Sequence, residues 1–252
     1  VVRTLTHSGS DLGPAASPDG RLVAFASRRD GRLRVWLKQV EGEGETALTA
    51  RPADAEPRFF TDGQSVLFTR NDEKEGPSLW RVPVVGGEER RLFRKAESGD
   101  VSPDGREVAF LRLLRQERRI VALVVAPADG GAGKELARFD TIVSSPRFSP
   151  DGRNVALSEE GSAQSGVPGS VVLVSRDGRV RRIPLPQAAR QPSAVAWLGA
   201  GSRLLVGVFG ASVPHARSVG LELVRLSVED GEGEPVAWWP YAGRTLDILG
   251  DG

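Results

Sequence analysis

Ser17-Pro18-Asp19-Gly20-Arg21-Leu22-Val23-Ala24-Phe25 is a tight turn running into an apolar strand. Proline in second position presets φ, serine bonds the turn's own backbone, and glycine tolerates positive φ. The unit returns as Thr61-Asp62-Gly63, Ser102-Pro103-Asp104-Gly105 and Ser149-Pro150-Asp151-Gly152. It weakens to Gly199-Ala200-Gly201 and ends as Gly250-Asp251-Gly252. The final glycines are 43, 42, 47, 49 and 51 residues apart. Three residues after each of the first five begins an apolar triplet: Val23-Ala24-Phe25, Val66-Leu67-Phe68, Val108-Ala109-Phe110, Val155-Ala156-Leu157 and Leu204-Leu205-Val206. A recurrence at one fixed offset is the signature of a repeat architecture.

Each repeat continues with a polar hairpin, a further apolar run such as Val35-Trp36-Leu37 or Val171 to Val174, a glycine-rich turn and a closing strand such as Arg91-Leu92-Phe93. About four short strands per 40–50 residues is the content of a propeller blade. The triplets are apolar at every position, whereas a sheet with one wet face alternates. Blades stacked around an axis bury both faces, so the fold class expected is an all-β propeller of four-stranded blades. It forms one domain over 1–252, with repeats at about 11–50, 51–96, 97–140, 141–186 and 187–240. Val1 to Thr6 resembles a closing strand and Arg244 to Leu249 a first strand. Taken together, 1–10 and 241–252 predict an incomplete sixth blade, and a chain stopping at a strand-connecting turn suggests a longer parent protein.

Composition narrows the chemistry. The chain has no cysteine and two histidines, His7 and His215, which excludes thiol catalysis, zinc–cysteine centres and multi-histidine metal sites. A net charge of +1, with 34 basic against 33 acidic residues, argues against nucleic-acid binding. No apolar run approaches a membrane span; Ile120 to Ala126 is the longest. No Gly-x-Ser-x-Gly elbow is present, and the glycine pairs at Gly42-x-Gly44 and Gly231-x-Gly233 lack the helix a phosphate cradle needs. The recurring Asp19, Asp62, Asp104 and Asp151 follow from turn chemistry, since no Asp-x-Asp-x-Asp-Gly calcium loop occurs. Asp72-Glu73, Glu159-Glu160 and Glu229-Asp230 fall in predicted hairpin turns and are expected to be solvated. No cofactor is called for.

From Pro14 to Ala50 the order of turn, Val-Ala-Phe-Ala-Ser, Asp-Gly, Val-Trp and Leu-Thr resembles the TolB-like, WD-like bacterial β-propeller repeat. Leu5 to Ser10 and Val35 to Gln39 are closest in style to the C-terminal propeller regions of membrane-anchored bacterial Ser/Thr kinases. The resemblance implies a non-catalytic module for protein interaction or ligand sensing within a larger bacterial protein, a kinase or transcriptional regulator, on the periplasmic side. The alternative it implies is the substrate-gating propeller of a prolyl-oligopeptidase-type serine peptidase with its hydrolase domain elsewhere.

Propeller function usually resides on one face, built by loops on a rigid scaffold. Connections from second to third strands share a face with those between blades, and two of the former are long: Glu159 to Ser170, and Gly210 to Gly220 with His215 and Arg217. Blade-to-blade connections add Arg51, Asp54, Arg94, Arg190, Trp239 and Tyr241. These eight residues are the candidate binding set for a protein, peptide or small ligand.

Overall fold

The computed structural model describes residues 11–42, 44–115, 120–161, 167–185, 191–211 and 220–239. They form five antiparallel sheets, each of four strands joined in sequence order. Blade 1 comprises β1 (Asp11–Ala16), β2 (Leu22–Ser27), β3 (Arg34–Gln39) and β4 (Glu45–Ala47). Blade 2 comprises β5 (Asp54–Phe59), β6 (Ser65–Asp72), β7 (Gly76–Pro83) and β8 (Arg90–Arg94). Blade 3 has β9 (Glu97–Val101), β10 (Glu107–Arg115), β11 (Ile120–Pro127) and β12 (Lys134–Phe139). Blade 4 has β13 (Val143–Phe148), β14 (Asn154–Glu159), β15 (Ser170–Ser175) and β16 (Val180–Pro184), and blade 5 has β17 (Gln191–Leu198), β18 (Arg203–Ala211), β19 (Gly220–Ser227) and β20 (Gly233–Trp239).

The blade count corrects the expectation of six. Among the described residues all five turn-and-triplet units form complete four-stranded sheets, with β1 paired to β2 and β20 to β19. The segments assigned to a partial sixth blade, 1–10 and 241–252, lie outside the described residues.

Each repeated turn joins a first strand to a second. In Ser17 to Gly20 the serine Oγ donates to Asp19 Oδ1 at 2.6 Å and accepts from Leu22 N at 2.8 Å. Asp19 Oδ1 also accepts from Arg21 N at 3.1 Å. Ser102–Asp104 and Ser149–Asp151 repeat the pattern. These donors, the serine hydroxyl first and the backbone amide second, hold all three turn aspartates below the usual carboxylate range. Turns of successive blades also seat on one another. A Cβ added to Gly63 would stand 3.7 Å from Pro18 Cδ, on Gly105 2.5 Å from Thr61 Oγ1, and on Gly201 3.1 Å from Pro150 Cδ.

The triplets are buried because both faces of each second strand are covered. Phe68 packs between blades 1 and 2, while its neighbour Leu67 packs between blades 2 and 3. Ala109 faces blade 4 while Val108 and Phe110 face blade 2. Four apolar clusters result, each shared by two consecutive blades. Burying one such leucine or phenylalanine contributes about 1.5–3 kcal/mol. First strands of successive blades lie side by side, which makes them the inner edges around the axis. At the rim, cations clasp the next blade: Arg90 Nη2 donates to Asp129 O at 2.5 Å, Lys134 Nζ to Arg176 O at 3.1 Å and Arg181 Nη2 to Glu229 O at 2.8 Å.

Candidate functional site

Sheet register defines the face opposite the Ser-Pro-Asp-Gly turns. Across blade 2, Asp54 pairs with Arg70, Arg70 with Ser78 and Ser78 with Arg94. Across blade 4 the same line runs Val143, Glu159, Ser170 and Pro184, and across blade 5 it runs Gln191, Phe209, Leu221 and Trp239. The blade 2 line is polar or charged throughout, blade 4 holds Glu159 and Ser170 on it, and the blade 5 line is mostly apolar.

Of the eight candidate residues, Arg51, Asp54 and Arg94 are described with their side chains. Arg51 is exposed in the connection between blades 1 and 2. Arg94, also exposed, ends β8 and places Nη1 3.4 Å from Glu75 Oε2, which Arg91 Nη1 holds at 2.5 Å. Asp54 is fully buried. Its carboxylate takes Arg70 Nε at 2.6 Å and Nη2 at 2.7 Å, and Arg70 Nη2 also meets Glu89 at 2.7 Å. Burial pushes the Asp54 carboxyl up, against the pull of Arg70. The Arg70 guanidinium lies over the rings of Phe68 and Trp80, so this network braces the blade 1–blade 2 seam beneath the face. Trp239 ends β20, opposite Leu221. His215, Arg217, Arg190 and Tyr241 lie outside the described residues.

Glu159, expected to be solvated, is 5% exposed. It accepts from Thr141 Oγ1 at 2.6 Å, Ser170 Oγ at 2.8 Å, and Arg182 Nε and Nη2 at 2.8 and 3.1 Å. Burial alone would raise its pKa, but these bonds outweigh it and lower the value. A predicted turn and an ion-paired strand end look alike in sequence, because the partner Arg182 is 23 residues away. Among the described residues no three His, Asp or Glu side chains gather to hold a metal ion, and no helix is long and apolar enough to cross a membrane.

A third feature escaped the sequence reading. The first strands of blades 1–4 carry a bulge whose key residue has positive φ at one register position: Gly13 (60°), Glu56 (53°), Ser98 (51°) and Ser145 (54°). Glu56 Oε1 and Oε2 each accept from Ser98 Oγ at 3.0 Å, and Oε2 also accepts from Thr69 Oγ1 at 2.9 Å. Ser145 Oγ donates to Ser193 O at 3.4 Å. Inner edges of neighbouring blades are thereby tied. The shared offset from each turn was the available signal.

A sequence-family model of the TolB beta propeller domain matches residues 3–199 of the 252. The chain belongs to the TolB β-propeller family. Among solved structures, this TolB-family chain is similar to a putative TolB from Agrobacterium tumefaciens, with a TM-score of 0.76, 18% identity, and coverage of 96% of this chain and 87% of that one. Among curated proteins it is 32% identical over 127 residues to the uncharacterized protein Atu1656 of Agrobacterium fabrum, spanning 44% of this chain and 43% of that protein. It is 30% identical over 152 residues to the uncharacterized peptidase YuxL of Bacillus subtilis, spanning 58% of this chain and 21% of that protein. The TolB-family chain thus spans less than half the length of each of these curated relatives.

Proposed function

We propose that this TolB-family propeller is a recognition module of a larger bacterial protein, such as a membrane-anchored kinase or a regulator, and that it binds a protein or peptide on the face bearing Arg51 and Arg94. The observation that carries the reading is the division of labour on that face. The buried Asp54–Arg70 pair and the buried Glu159 carboxylate, held by the exposed Arg182, fix strand ends in blades 2 and 4, while Arg51 and Arg94 stand exposed beside the first. Exposed charges on a rigid support suit recognition of an acidic partner surface. His215, Arg217, Arg190, Trp239 and Tyr241 extend the proposed surface. Family membership supports an extracytoplasmic location.

The test is site-specific photo-crosslinking in cells, with the probe at Arg51 or Arg94 and, as a control, at Arg21 or Arg153 on the opposite face. Adducts from the first pair alone are expected. Equal labelling from both faces, or none from the first pair, would contradict the reading.

The likeness to the peptidase YuxL supports a second reading, a propeller that gates a hydrolase domain. A fluorophosphonate probe applied to the whole parent protein separates the two. Covalent labelling of a serine favours gating, and its absence favours recognition.

A further inference from the structure

Four seams join the five described blades, and three of them are shut at the outer rim by the same device. The fourth strands β8, β12 and β16 turn Leu92, Leu136 and Ile183 toward the next blade, and two residues before these stand Arg90, Lys134 and Arg181. Each cation donates to a carbonyl in the third-to-fourth-strand turn of the following blade, at Asp129, Arg176 and Glu229. The glycine of that turn seats on the earlier blade. A Cβ on Gly130 would stand 3.6 Å from Leu92 O, on Gly178 2.8 Å from Leu136 O, and on Gly231 3.2 Å from Ile183 Cγ2.

The seam between blades 1 and 2 has the same parts except the cation. Leu48 matches Leu92 and packs toward blade 2, but two residues before it stands Thr46. A threonine side chain is short and uncharged, and among the described residues no side chain donates to the Val84 or Val85 carbonyl of the facing turn. Gly86 closes that turn with its N–H 2.9 Å from Pro83 O, yet a Cβ on it would meet nothing within 4 Å. Corner residues of the other turns include Asp129, Asp177 and Asp230. Here they are Val84 and Val85, and Val85 is 95% exposed.

Between Leu48 and this turn lies a notch of about 440 Å³, lined further by Leu22 and Leu37. It opens on the side of the Ser-Pro-Asp-Gly turns, where Leu22 at the start of β2 pairs with Gln39 at the end of β3. Lys38 also borders it, with its charge compensated by Glu45 at 3.3 Å. In the other seams this place is taken by a long side chain whose aliphatic stem carries a cationic head to a turn carbonyl. Here an aliphatic lining and unclasped carbonyls stand ready for a separate molecule of the same chemistry.

We infer that the notch between blades 1 and 2 binds a small organic cation, an ammonium or guanidinium on an aliphatic body. Its head donates to the Val84 or Val85 carbonyl, and its body lies on Leu22, Leu37 and Leu48. The volume is that of a small-molecule site. The notch opens away from the face proposed above, and neither reading depends on the other.

The test is an NMR titration of the leucine and valine methyl resonances of the whole chain with n-hexylammonium chloride, at ionic strength held constant with sodium chloride. Saturable shifts of the Leu48, Val84 and Val85 methyls are expected. Methylammonium, which lacks the aliphatic body, and hexanoate, which reverses the charge, should each bind at least about tenfold more weakly. Thr46→Arg supplies the clasp from within the chain and should weaken hexylammonium binding at least about tenfold, whereas Thr46→Ala should bind as wild type does. Acetyl-Ala-Lys-Ala-amide presents the same head on a peptide; binding as tight as that of hexylammonium would assign the notch to a partner's lysine and overturn the small-molecule reading. The proposal is overturned if no saturable shift appears up to about 50 mM, a range in which even weak sites fill. Methylammonium or hexanoate binding as tightly as hexylammonium, or unchanged affinity in Thr46→Arg, would overturn it as well. The comparison of probes on the wild type decides even if a variant fails to fold.

Discussion

The serine hydroxyl of each Ser-Pro-Asp-Gly turn both donates and accepts, so its loss leaves an aspartate with only its backbone-amide donor and a strand amide without an acceptor. Ser102→Ala is expected to lower stability by about 1 kcal/mol, measured by denaturant unfolding. Glycine at the end of the turn meets two separate demands. Gly31 has φ +86° and open space around it, whereas Gly105 has φ +72° and would press a Cβ to 2.5 Å from Thr61 Oγ1. Gly31→Ala should therefore cost about 1 kcal/mol and Gly105→Ala clearly more, by the same measurement. Glu159 contributes to the acid dependence beside the turn aspartates. Its pKa in the fold is lowered from an ordinary value near 4.5, so the stability it contributes is full above that pH and is lost as pH falls through the folded value. Glu159→Gln should cost about 2 kcal/mol at neutral pH, discounted for the half-exposed Arg182, and the difference from wild type should shrink below about pH 4.5. A gap that stays constant down to pH 3 would show that the pair is not responsible.

At the scale of the strand, the inner-edge bulges hold three side chains where glycine costs least. A left-handed conformation at a non-glycine residue costs roughly 1–2 kcal/mol, set against the entropy glycine itself loses. Ser145 makes one long bond from this position, whereas Glu56 bonds both Ser98 and Thr69. Ser145→Gly should thus be within about 0.5 kcal/mol of wild type, and Glu56→Gly should be destabilised by about 1–2 kcal/mol. Thermal unfolding of the two variants checks the contrast; equal effects would mean that the side chains play no part in joining the blades. The second strands were legible in sequence because Val-Ala-Phe triplets state double-sided burial directly. The bulges were not, because each is a register shift against the second strand of the same blade, and the residues at it, Gly13, Glu56, Ser98 and Ser145, share no residue type.

Across the whole molecule, the blade architecture follows from one repeated turn, and the clusters shared by consecutive blades explain why no repeat is apolar on one side only. The number of blades was less legible. Terminal segments that resemble strands suggested a sixth, but strand resemblance carries no pairing information, and the described sheets number five. The proposed face was chosen from its long connections, but sequence offered no means of separating Arg94, which is exposed, from Asp54, whose partner Arg70 is 16 residues away. The central claim is that the Arg51–Arg94 face recognises a partner. Its most direct measurement is the affinity of the crosslinked partner for wild type, Arg51→Glu/Arg94→Glu and Arg21→Glu/Arg153→Glu. The account predicts roughly tenfold or greater weakening in the first double variant and little change in the second; equal affinities for all three would contradict it.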